Sequence, residues 1–313
     1  VRPQLAVSRM SSFKKLLICF VALGGASVVG FFALAWRPAI APILASAPQT
    51  FAPELIVKGE ALAGGGYCAE CHTAKGGKVF AGGYPMQTPF GVLYSTNITP
   101  DPETGIGLWS EAAFARAMHE GVARDGSHLF PGFPYDHFTK LSDDDVRALY
   151  AYFMTRPSVR APALANTIPF PFGIRAFQAG WKLLFFRSGR FEPVAGKSDE
   201  WNRGAYLALG LSHCGACHTP RNLLGAEKAG DAYAGAVVDN WTAPPLTEAN
   251  PVPGPWTQEE LHSYLRNGVS VLHGSAAGPM SPVVQGLSAL PESDVQALAV
   301  YFADIDHAVD RPL

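Results

Sequence analysis

Four of the five cysteines fall in two short runs, Cys68-Ala69-Glu70-Cys71-His72 and Cys214-Gly215-Ala216-Cys217-His218. Each run is C-x-x-C-H, the spacing that serves covalent attachment of c-type haem. The two thiols reach the vinyl groups on one edge of a porphyrin, and the following histidine swings beneath the iron as proximal ligand. Cys68, Cys71, Cys214 and Cys217 are thus the expected attachment points, and His72 and His218 the expected iron ligands. A thioredoxin-like pair needs a βαβ setting, and no strand-rich pattern surrounds either run. A zinc site built from four cysteines would leave both histidines without a role. Two covalently bound haem groups are therefore expected. A haem also supplies an apolar body around which a small domain, rich in glycine and proline, can pack.

The elements that must hold these motifs repeat along the chain. The spacing that relates Trp109-Ser110-Glu111 to Trp256-Thr257-Gln258 also relates Gly121-Val122 to Gly268-Val269, and Leu141 through Phe153 pairs closely with Leu290 through Phe302. Each half has a haem motif, a loop, a helix after tryptophan, a second loop and a final amphipathic helix. Ser142 and Asp143 open one final helix and Pro291 opens the other. In small helical haem domains with this layout, the second loop delivers a methionine to the iron. The second half has it in Gly278-Pro279-Met280-Ser281-Pro282, and Met280 is the expected distal ligand, a soft thioether that raises the reduction potential.

The first half departs from the pattern. Phe133, in Pro131-Gly132-Phe133-Pro134-Tyr135, stands where Met280 stands, and a phenyl ring cannot bind iron. Either the first haem is five-coordinate or another side chain takes the site. His137, in the same loop, is the leading candidate. Met118 is the alternative, although core packing suits it better, and Met86 is weaker. His119 and His128, beside charged and polar neighbours, are expected to be exposed. With His137 bound, the first haem would sit at a lower potential than the second.

The chain of 313 residues carries 24 basic and 26 acidic groups, a net charge of −2, and 48% hydrophobic residues. That excludes a wholly disordered chain and argues against nucleic-acid binding. Leu16 to Trp36 is almost unbroken apolar sequence, and as a helix it would span about 30 Å, the thickness of a bilayer core. It is longer than the apolar region of a cleaved leader, so a retained anchor is expected, with Cys19 inside it as a small hydrophobe. Lys14 and Lys15 place the N-terminus inside and the haem domains in the periplasm. The expected architecture is mostly α: residues 1–50 anchor and linker, 51–160 one haem domain, 161–195 a connector, and 196–313 a second haem domain. Phe170, Trp181, Leu183 and Leu184, interleaved with Arg175, Lys182, Arg187 and Arg190, suit either an interfacial segment on anionic headgroups or a packed connector. Arg221 suits a haem propionate or the surface. Asp143, Asp144 and Asp145 suit a solvated helix start.

Cys68-Ala-Glu-Cys-His72, Ser95-Thr96-Asn97-Ile98-Thr99-Pro100-Asp101, Gly105-Ile106-Gly107 and Tyr150-Ala151-Tyr152-Phe153 resemble the cytochrome c subunit of bacterial membrane-bound alcohol, aldehyde and sugar dehydrogenases. Trp201 through Leu207 and Cys214 through Asn222 extend the resemblance into the second half. It implies two tandem cytochrome c domains after an N-terminal transmembrane helix. It also implies a relay of electrons from a partner dehydrogenase to ubiquinone in the cytoplasmic membrane. Members usually carry a third haem domain, so a third haem is expected only if the chain is incomplete. The Phe133 variant followed by Asp136-His137-Phe138 resembles relatives paired with molybdenum-containing, iron–sulfur aldehyde dehydrogenases or hydroxylases. The alternative from another class is a di-haem peroxidase, which an open site at Phe133 would suit.

Overall fold

Helix-start signals set the frame of the structure, a computed structural model that describes residues 12–44, 50–238, 240–247, 249–250 and 256–305. The apolar N-terminal run forms α1 (Ser12–Ala35), exposed over most of its length and the one candidate span among the described residues, with a mean hydropathy of 2.4. Pro53 in the first turn opens α2 (Pro53–Gly65). The motif helix α3 (Cys68–His72), the hairpin β1 (Pro85–Thr88) and β2 (Gly91–Tyr94), and α4 (Glu111–Glu120) follow. A short α5 (Tyr135–Phe138) and α6 (Asp143–Met154) complete the first half. Connector helix α7 (Phe177–Phe185) leads to α8 (Asp199–Tyr206), α9 (Gly215–His218), and β3 (Ala236–Val238) paired with β4 (Trp241–Ala243). Then come α10 (Gln258–Asn267), the two-residue β5 (Val269–Ser270) and β6 (Gly274–Ser275), α11 (Met280–Leu287) and α12 (Glu292–Ile305).

The helix after each tryptophan starts where a side chain satisfies its free N–H groups. Ser110 caps α4, and Thr257 with Glu260 forms a capping box on α10. Ser142 caps α6 as expected, while Pro291 stands just before α12, its carbonyl accepting from Asp294 and Val295. Helices α2 and α8, which precede each motif, lie outside the repeated pattern of the sequence, and so do the hairpins after each motif.

In each half the helix before the motif crosses the final helix at a glycine. A Cβ on Gly59 would lie 2.0 Å from the carbonyl oxygen of Ala148, and one on Gly204 would lie 1.9 Å from that of Ala297. Beside each crossing runs an ion pair, Lys58 to Asp145 at 2.6 Å and Arg203 to Asp294 at 2.7 Å. Asp145 is buried and also accepts from Tyr206 Oη, so it is not the solvated residue the acidic run implied. Hydrophobic packing continues across the halves, from Leu62, Phe114 and Leu149 to Leu207, Leu298 and Phe302.

Three of the connector's four basic groups bond the first half, while Arg187 stays exposed and donates to the carbonyls of Leu183 and Phe186. Lys182 is buried and its amine donates to the carbonyls of Glu120 at 2.5 Å and Gly121 at 2.7 Å, the unsatisfied C-terminal end of α4. Burial, with Arg37 nearby, pushes this amine down to about 7. Arg175 donates to the His128 carbonyl, and Arg190 pairs with Asp143 and His119. These groups are thus spent on the first half rather than presented to headgroups. His119 and His128 are both buried, against the expectation of exposure. Arg190 closes over the first, while Lys182 and the Ala35 carbonyl bracket the second.

Candidate haem sites

Both C-x-x-C-H runs fold the same way. The residue before the first cysteine is left-handed in each, Tyr67 at φ 37° and His213 at φ 31°, a conformation uncommon outside glycine. The turn leads into a short helix, with both cysteines inside it in the first motif and Cys214 as its N-cap in the second, and each ends at an extended threonine, Thr73 or Thr219. Each threonine hydroxyl accepts from the backbone of a second left-handed aromatic residue, Phe80 at 3.2 Å and Tyr233 at 3.1 Å.

The two motif histidines are oriented alike. His72 Nδ1 donates to the Thr96 carbonyl at 2.7 Å, and His218 Nδ1 donates to the Pro244 carbonyl at 2.7 Å. Such a bond fixes the tautomer and leaves Nε2 as the lone-pair nitrogen for a metal. Burial lowers both histidines below their usual range, despite the opposing carbonyl bond, and so favours the neutral ring that ligation needs. All five cysteines are unbridged thiols, and burial, with a neighbouring thiol, pushes Cys68 and Cys214 up to about 12. Thiols held protonated, as at Cys68 and Cys214, do not suit a redox-active dithiol. Among the described residues, no cysteine joins a group of three converging metal-ligating side chains, so a four-cysteine zinc site is not built. Paired thiols plus one oriented imidazole in each half fit a thioether-linked haem iron.

The loops expected to carry a distal ligand differ between the halves. Met280 starts α11, half-buried against the core. Two residues earlier, Gly278 at φ 51° lets the Trp241 ring of β4 lie against the loop backbone, where a Cβ would sit 2.5 Å from the ring. In the first half, Phe133 packs on Phe138 with ring centroids 5.3 Å apart. Met118 is buried on α4, as Leu265 is on α10, a packing position in both.

The structure does not bring His137 forward as a free imidazole. Its Nδ1 bonds the Leu209 carbonyl at 2.8 Å and its Nε2 bonds Glu227 at 2.8 Å, across the contact between the halves. Burial opposes charge on this ring, but the Glu227 carboxylate outweighs it and the pKa rises. A ring held by both nitrogens has no lone pair for iron, because tertiary packing turns the loop toward the second half. Arg221 braces the second motif instead of standing free, donating to the carbonyls of Ala216 and Gly225.

The two motifs abut, which their separation along the chain does not signal. Tyr67 and His213 have ring centroids 4.5 Å apart, and Tyr67 Oη lies 2.8 Å from His213 Nδ1. Ser212 Oγ donates to the Gly65 carbonyl at 2.9 Å beside them. The residues directly preceding Cys68 and Cys214 thus touch, and each motif lies at the boundary with the other.

Buried histidines in this region predict acid sensitivity. Burial and Arg190 push His119 down to about 4, and burial and the His137 charge push His213 down to about 3. In the unfolded chain both titrate near 6.5. As pH falls from about 6.5 to 4 the unfolded state gains protons that the folded state refuses, so stability drops through that window. Melting temperature of the holoprotein against pH checks this. His119→Gln should flatten the slope, and an unchanged slope would refute the assignment to that ring.

A family model described as cytochrome c matches residues 56–157. The chain is 52% identical over 275 residues to a nicotinate dehydrogenase subunit of Pseudomonas putida, covering 88% of this chain and 23% of that protein. It is 41% identical over 257 residues to the fructose dehydrogenase cytochrome subunit of Gluconobacter japonicus, covering 80% of this chain and 52% of that subunit. A diheme cytochrome c-type protein of Cereibacter sphaeroides is 36% identical over 252 residues, covering 78% and 83%. The chain thus spans about a quarter of the first of these relatives and about half of the second. Oriented motif histidines, thiol pairs and these likenesses converge: the chain belongs to the c-type cytochromes, in the family that includes dihaem cytochromes and the cytochrome subunits of membrane-bound dehydrogenases.

Proposed function

We propose that this chain is a two-haem electron relay, taking electrons from a partner dehydrogenase and delivering them to ubiquinone at the cytoplasmic membrane. The contact between Tyr67 and His213 carries this reading, because it sets the two attachment motifs side by side across the boundary between the halves. Haem iron supplies a reversible one-electron couple, and the protein's part is ligation, burial and orientation. Cys68 and Cys71 hold one group and Cys214 and Cys217 the other. Thr96 and Pro244 carbonyls orient the proximal rings, and Met280 closes the second site. The two halves then act as tandem cytochrome c domains, each with its own haem.

The helix α1 serves as a retained anchor in this reading. Residues just after it are tied to the first half: Ile40 N donates to the Arg124 carbonyl at 2.8 Å, Ile43 N to the Leu108 carbonyl at 3.1 Å, and Arg116 to the Pro38 carbonyl at 2.7 Å. Removal of the apolar run as a leader would discard that packing if the cut fell after residue 43. Phe31 of α1 meets Phe177 of α7 at 6.0 Å, and α7 presents exposed Leu183 and Leu184 close to the end of the anchor. Anchor and connector would then hold the haem domains on the periplasmic face of the membrane.

The partner's substrate follows from likeness alone: an aldehyde or a heteroaromatic compound oxidised by a molybdenum-containing dehydrogenase, in keeping with the Pseudomonas putida relative named as part of a nicotinate dehydrogenase. Purification of the intact complex from membranes tests the proposal. The expected result is a dehydrogenase subunit that reduces two haems per chain when given its substrate. Release as a free chain that turns over peroxide when reduced would overturn it in favour of a di-haem peroxidase.

A further inference from the structure

The first half lacks a distal ligand where the second has Met280, and the hairpin β1–β2 offers one. The chain has five methionines. Met280 belongs to the second site, Met118 is a core residue aligned with Leu265, Met154 ends α6, and Met10 lies outside the described residues. Met86 remains. It sits half-buried in β1, opposite Leu93 of β2, so their side chains share one face of the hairpin. That face lies on the loop holding Phe133. At Gly132, the residue just before Phe133, a Cβ would come 2.8 Å from Leu93 Cδ1 and 3.1 Å from Met86 Sδ. Absence of a side chain at Gly132 is what lets the sulfur approach.

The second half makes the same junction with different chemistry. There the hairpin presses Trp241 on Gly278, and the loop itself supplies the sulfur. In the first half the loop supplies a phenyl ring and the hairpin, with strands of four residues against three, supplies the sulfur. His137 has both nitrogens engaged and does not compete.

We propose that Met86 Sδ is the distal ligand of the iron held by His72, delivered by the β1–β2 hairpin in place of the loop methionine. Both irons then carry one histidine and one methionine, so the first haem is not the low-potential centre that ligation by His137 would make it. The proposal rests on the two-haem reading, which a mass-spectrometric count of attached haems tests separately.

The experiment is proton NMR of the reduced, haem-loaded full chain, in which each iron-bound methionine gives a strongly upfield methyl signal. Two such signals are expected. Met86→Leu should remove one and let carbon monoxide bind one haem per chain, Met280→Leu should remove the other, and Met118→Leu and His137→Asn should leave both. A single signal in the unaltered protein, or two signals surviving in Met86→Leu, would overturn the proposal. If Met86→Leu loses haem during maturation, Met86→His provides the second arm. It should exchange one methionine signal for a bis-histidine spectrum with one lowered potential, and retention of both methionine signals would refute ligation by Met86.

Discussion

Replacing Cys214 and Cys217 together by alanine should leave a chain carrying one haem, with the group at Cys68 and Cys71 still attached. Each pair belongs to its own motif helix, and the two helices share no cysteine, so attachment at one does not require thiols at the other. Without its thioether bonds, a haem in the second half would be held by His218, Met280 and packing alone. The half that lost it would then have to close around Leu265, Leu287, Leu298, Tyr301 and Phe302, which form one core with Cys214 packed against it. Emptying a space built around a large apolar group costs both burial and cavity energy. The altered half should accordingly melt earlier than the intact one. Intact mass and haem absorbance per chain read the outcome: absorbance should fall by half. A mass still showing two haems would refute the assignment of Cys214 and Cys217.

A second large effect is expected from Gly59→Val, and equally from Gly204→Val. At both positions the helix before the haem motif touches the backbone of the final helix. A Cβ would intrude to 2.0 Å of the Ala148 carbonyl oxygen in one case and 1.9 Å of the Ala297 oxygen in the other. These atoms belong to main chain, so no rotamer change can make room, and the helices must separate. Separation strips contact from the ion pairs Lys58–Asp145 and Arg203–Asp294, whose carboxylates are largely buried. Overpacking of a tight core costs about 1–3 kcal/mol, and a backbone clash of this depth belongs at or beyond the top of that range. Chemical denaturation of the holoprotein measures it. A loss under about 1 kcal/mol would mean the crossing relaxes freely and that glycine is not required there.

The same two positions show where sequence reasoning stopped. The repeat of tryptophan, serine or threonine, and final amphipathic helix is visible because helix caps and apolar periodicity are local. Ser110, Ser142 and Thr257 do cap the helices that pattern implied. Gly59 and Gly204 gave no such signal, since a glycine in a helix is informative only when its neighbour across the crossing is known. Thr96 and Pro244, whose carbonyls orient His72 and His218, carry no signal of that role because any residue has a carbonyl. His119, His128 and Asp145 read as surface groups from their polar neighbours, yet partners distant in sequence bury them: Arg190, Lys182 and Lys58.

The two candidate attachment motifs, then, are legible in the sequence alone. Two thiols and a histidine at fixed spacing need only one turn of helix to act together, and that turn is local. Family and overall helical character followed from the same local patterns. What tertiary structure decided was which side chains meet across long separations. It placed Tyr67 against His213, and so the two motifs against each other. It also took both nitrogens of His137 for Glu227 and the Leu209 carbonyl, and brought the sulfur of Met86 to Gly132. Spacing along a chain records neither a second-half carbonyl reaching a first-half histidine nor a hairpin folding onto a loop, because both depend on how the two halves pack.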